Sequence, residues 1–131
     1  MADGTATIEL GKLIKAQAMF ERFRYGIQDD RDQMGAVLAF KICYELALRV
    51  MKALLLAKGL EATSPKDIFR QAELIKIITD PEVWFDFQVK RNLTAHAYEQ
   101  ENLTTIVEIF EIFSVELAQM IQAVSVVIAK E

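Results

Sequence analysis

The sequence is poor in the residues on which most chemistry and most cross-linking depend. Its 131 residues include one Cys, one His, one Trp, two Pro and five Gly. A lone Cys forms no internal disulfide, and Cys43, set in the largely apolar run from Ala39 to Val50, is expected to be buried as a small hydrophobe. A Gly-rich phosphate loop, a CxxC pair, an HExxH and a metal-holding pair of Asp residues are all missing, which removes most enzyme classes. One His and one Cys do not build a metal cage, so neither metal nor cofactor is expected. The amino-terminal MADGTATIELGK has no basic stretch followed by an apolar core, so no secretory leader is expected. With so little cysteine, the expectation is a cytoplasmic protein whose two Asn-Leu-Thr matches, at Asn92 and Asn102, are not glycosylation acceptors. Uninterrupted apolar stretches fall short of the ~20 residues that span a bilayer, so no membrane association is expected. A basic excess is also lacking: 15 Lys plus Arg against 19 Asp plus Glu leave a net charge of −4, so any contact with RNA or nucleotide must be local.

What is present is apolar and helical. With 53% hydrophobic and 26% charged residues, the chain reads as a single globular domain over 1–131, large enough to bury one core without staples. Between the few Gly and Pro the apolar residues recur at three and four, and no segment argues for a strand. A first helix is expected over about Thr7 to Ile27. A second, over Arg31 to Lys58, is apolar almost all round and therefore central, and Gly59 supplies a left-handed stop. Ser64-Pro65 and Asp80-Pro81 each give an N-cap followed by Pro at the first helical position. They start a short third helix, to about Ile78, and a fourth that reaches Lys90 to Tyr98. One long helix then runs to the carboxyl terminus through Ile106, Ile109, Phe110, Phe113, Leu117, Met120, Ile121 and Val124. Short connections make these antiparallel neighbours, an all-α up-and-down bundle of four or five helices.

Chemistry concentrates between Arg91 and Tyr98, where a guanidinium fork, the one imidazole and a phenol fall within eight residues. His96 is the only side chain whose ordinary titration lies near neutral pH. On a continuous α-helix Arg91 and His96 would point about 140° apart. They converge on one phosphate only if the helix breaks between them or two copies face each other; Asn92 and Thr94, which compete for backbone hydrogen bonds, favour a break. Glu45, a charge in an apolar helix, needs a partner. It either orients Arg91 or His96 across a cleft or forms an ion-pair ladder with Lys41 and Arg49, one turn away on each side.

Arg91-x4-His96-x-Tyr98 near a helix end resembles the HEPN superfamily, and within it the subgroup paired with minimal nucleotidyltransferases, often named nucleotidyltransferase substrate-binding proteins. Tyr44-Glu45-Leu46-Ala47, Ser64-Pro65-Lys66, Trp84 and Arg91-Asn92 follow in the same order, so the resemblance extends from about Phe20 to the final helix. This chain departs from the family's common pattern in having Ala97 between His and Tyr, and Leu48 after Glu-Leu-Ala in the second helix. The resemblance implies a HEPN-like homodimer and a metal-independent ribonuclease of a toxin–antitoxin pair. In it Arg91 and His96 serve catalysis; Glu45 is a third catalytic candidate because of its charge in an apolar helix, and Lys90, Arg91 and Asn92 are the expected RNA- or nucleotide-binding residues. A partner nucleotidyltransferase would restrain it by adding AMP to Tyr98. The competing expectation is a non-catalytic subunit that presents nucleotide or another substrate to that transferase.

Overall fold

The computed structural model describes residues 4–130, and within them every regular element is helical. α1 spans Thr5–Tyr25, α2 Asp30–Ala57, α3 Pro65–Leu74, α4 Pro81–Leu93, α5 Gln100–Val107 and α6 Phe110–Ala129, with one 3-10 turn at Thr94–His96. The starts follow local chemistry. Asp29, Ser64 and Asp80 cap α2, α3 and α4 by accepting hydrogen bonds from the amides of Asp32, Asp67 and Glu82. Replacing Ser64 with Ala is expected to cost about 1 kcal/mol, read as a lowered urea midpoint with an unchanged slope.

The ends are less legible. α2 stops as expected: Gly59 takes a φ of 80°, and the amide of Leu60 bonds back to the carbonyl of Leu55 at 2.9 Å. α3 ends in the same geometry at Leu74, short of the expected Ile78, with Lys76 at a φ of 66° in the place where Gly is usual. The turn brings Ile77 and Ile78 back into the core, and their burial outweighs the cost of a left-handed Lys. The expected single carboxyl-terminal helix is divided at Glu108–Ile109, where the amide of Ile109 bonds to Ile106 in a tightened turn. The division lets α5 pack on α2, α4 and the 3-10 turn while α6 packs on α1.

α2 is central, touching α1, α3, α4, α5 and the 3-10 turn. Its buried residues, from Ala36 to Leu55, fill an arc of about 160°. The opposite face, holding Met34, Leu38 and Leu56, is exposed, so the helix is not buried all round. Phe113 of α6 is the hub of the core. Its ring meets Phe20 of α1 at 5.4 Å, Phe40 of α2 at 4.8 Å, and Phe87 and Trp84 of α4 at 5.0 and 6.2 Å, all edge to face. Cys43 is fully buried, and that burial pushes its thiol up to about 12. α6 is long and apolar enough to cross a membrane by length and composition, although Glu111 and Glu116 interrupt its apolar run. Its row Phe110, Phe113, Leu117, Met120 and Val124 is buried in the common core.

Candidate active site at the end of α4

The aromatic core positions the site. Trp84 and Phe87 anchor one face of α4, and Arg91 lies one turn beyond Phe87, where α4 runs out against α2. There its Nη2 donates to Oε1 of Glu45 at 2.8 Å. Glu45 therefore pairs across helices, and the ladder with Lys41 and Arg49 does not form among the described residues. The two side chains keep 33% and 38% of their surface exposed, so solvent screens the pair, and such pairs contribute about 0.2–1 kcal/mol. An incoming phosphate can thus engage the guanidinium at small cost.

The helix does break between Arg91 and His96. α4 ends at Leu93, and Thr94 turns its hydroxyl onto the carbonyl of Arg91 at 2.6 Å, satisfying a terminal acceptor. The chain tightens into the 3-10 turn, and Ala97 is tucked against the core while His96 and Tyr98 on either side are exposed. A small residue suits that buried position. The carbonyl of His96 accepts from the Asn102 side chain at 3.0 Å and from the Glu99 amide at 3.1 Å, which ties the turn to α5. His96 Nδ1 lies 3.3 Å from the Tyr98 hydroxyl, with the rings edge to face at 5.9 Å. This contact leaves the other ring nitrogen for proton transfer.

The three expected RNA-binding residues are not gathered into one patch. Lys90 is bound to Asp86 at 2.8 Å on its own helix, Asn92 is exposed, and only Arg91 meets Glu45. Consecutive helical residues diverge by about 100°, so neighbours in sequence face different ways. Tyr44 belongs to the landmark Tyr44-Glu45-Leu46-Ala47 and is not among the expected site residues. It is buried, with its hydroxyl lacking a hydrogen-bond partner among the described residues, and it feels the charges of both Arg91 and Glu45. Burial, reinforced by Glu45 and opposed by Arg91, holds its phenol well above the usual range. Its apolar helical spacing hid it, because Tyr at a core position reads as packing. Among the described residues no group of His, Cys, Asp and Glu is placed to hold a metal.

The family described as nucleotidyltransferase substrate binding protein like matches residues 6–125. A Haemophilus influenzae protein described as a probable ribonuclease HepT is 30% identical over 93 residues, 67% of this chain. The match spans 64% of that relative's length. A solved structure from Haemophilus influenzae, described as revealing the fold of a substrate-binding domain of a nucleotidyltransferase, superposes with a TM-score of 0.82 at 27% identity. That superposition covers 88% of this chain and 98% of the other. A Thermus thermophilus crystal structure shares the fold, with a TM-score of 0.80 at 21% identity over 86% of this chain and 98% of its own.

Proposed function

Since the chain belongs to the nucleotidyltransferase substrate-binding protein-like family, we propose that it is the HEPN-type ribonuclease subunit of a toxin–antitoxin pair, working in the cytoplasm as a homodimer. The observation that carries this reading is the break after Leu93, which frees His96 in an exposed turn while Glu45 holds Arg91 at the edge of α2. The chemistry is attack of a ribose 2′-hydroxyl on the adjacent phosphorus. His96 takes the hydroxyl proton as the new O–P bond forms, and Arg91 donates to the oxygens that gain negative charge. The bond to the 5′ oxygen breaks, and that oxygen takes a proton from the imidazolium of a second copy, leaving a 2′,3′-cyclic phosphate and a 5′-hydroxyl. One His per chain cannot be base and acid at once, so two copies face one cleft. Glu45 acts as a positioning residue for Arg91.

Purified protein with excess EDTA is expected to cut RNA and leave 2′,3′-cyclic phosphate ends. Intact RNA, or cutting that needs added metal, overturns the reading. The restraining partner is a minimal nucleotidyltransferase that attaches AMP to Tyr98, a modification supported by the 77% exposure of that phenol beside His96. The bulky anion severs the His96–Tyr98 contact and repels substrate phosphate. Tyr98→Phe is expected to abolish AMP incorporation by the transferase, followed by mass spectrometry. Cleavage should fall by less than about tenfold, the size of one lost neutral hydrogen bond of about 1 kcal/mol.

A second reading has its own support in the solved relative described as a substrate-binding domain. In it the same cleft binds nucleotide for the transferase and cuts nothing. Calorimetry with nucleotides, in the presence and absence of that transferase, separates the two.

A further inference from the structure

The acidic net charge hides a basic strip. From Gln33 to Ala57, α2 carries one acid, Glu45, and that acid is already bound to Arg91. Lys41, Arg49 and Lys52 share its face, within an arc of about 80° that includes Met34, Leu38 and Leu56. Arg49 and Lys52 are exposed and Lys41 is half-buried. None of the three cations forms an ion pair among the described residues. Because Glu45 turns to Arg91, the cations one turn before and after it are left without the partner their spacing offered. Lys41 to Lys52 covers about 16 Å of helix, with Arg91 beside its middle and the 3-10 turn packed on the same helix.

We propose that this face of α2 is the track for the sugar–phosphate backbone of single-stranded RNA on either side of the bond to be cut; the proposal rests on RNA as the substrate. Free cations in a line attract a polyanion and release its counterions. The strip is one helix wide, which suits a strand. A folded acidic protein would need a broad surface of about 800 Å². Met34, Leu38 and Leu56 give the interleaved apolar surface against which ribose and base faces rest. Lys90 is not part of the track, because Asp86 neutralises it.

The test is the triple variant Lys41→Gln, Arg49→Gln, Lys52→Gln in the full chain, all at non-core positions. Binding of a labelled, uncleavable 2′-O-methyl RNA of 20 or so nucleotides is followed by anisotropy against salt, and turnover of a ribodinucleotide is measured in parallel. The variant should lose about 2 from the log–log salt slope, so that wild type loses about 20-fold more affinity than the variant between 50 and 200 mM salt. Dinucleotide turnover should be unchanged, since a dinucleotide reaches only Arg91 and His96. An unchanged slope overturns the track, as does equal loss on both substrates. Normal RNA binding with loss of the partner transferase also overturns it and assigns the strip to a protein. If wild type binds the long RNA with the steep slope yet cuts nothing, the nuclease reading falls and the track stands. If it neither binds nor cuts, both fall.

Discussion

Arg91→Ala is expected to slow single-turnover RNA cleavage by about 10²–10³-fold, the cost of losing a preorganised donor at developing charge. His96→Ala is expected to cost about 10²–10⁴-fold through loss of proton transfer. Both rates are measured with end-labelled RNA in EDTA. Neither variant should unfold: Arg91 and Glu45 are partly solvated, so breaking the pair changes stability by no more than about 1 kcal/mol, checked by urea melts. Arg91→Lys should restore charge but little rate, because an ammonium lacks the planar fork that spans two phosphate oxygens. The double variant should be hardly slower than the worse single one, since residues that act as a unit do not contribute independently. Cleavage at the wild-type rate by either single variant would remove the nuclease reading and leave the nucleotide-binding one.

Phe113→Ala is expected to destabilise the fold by about 3–5 kcal/mol, a large share of the ~5–15 kcal/mol that small domains have in total. The ring is fully buried and makes edge contacts with Phe20, Phe40, Trp84 and Phe87, so its removal opens a cavity where α1, α2, α4 and α6 meet. Chemical denaturation measures the loss. The effect should reach the site too, because Trp84 and Phe87 are what fix the helix that carries Arg91. Phe113→Leu, which keeps most of the volume, should cost markedly less. A loss below about 1 kcal/mol for Phe113→Ala would show that α6 is not integral to the core.

Much of the fold was legible because its signals are local. Ser64-Pro65 and Asp80-Pro81 mark helix starts through hydrogen bonds that reach two or three residues, and Gly59 marks a stop through its own backbone freedom. The division at Glu108–Ile109 and the end of α3 at Leu74 were not legible, because no Gly or Pro marks them. Each is set by which neighbour the following residues pack against, and that competition between burial sites is decided far away in sequence.

The site divides in the same way. The sequence by itself determined that Arg91, His96 and Tyr98 share one segment, that the chain has a single imidazole, and that Glu45 needs a partner, since these are properties of residue type and spacing. Only the tertiary structure decided that Glu45 turns to Arg91 and leaves Lys41 and Arg49 without an ion pair among the described residues, that Lys90 is spent on Asp86, and that the buried Tyr44 hydroxyl feels the charges of the pair. Spacing of four offers a charge several partners on its own helix at nearly equal energy. A difference of less than about 1 kcal/mol, set by where α4 is anchored through Trp84 and Phe87, selects among them.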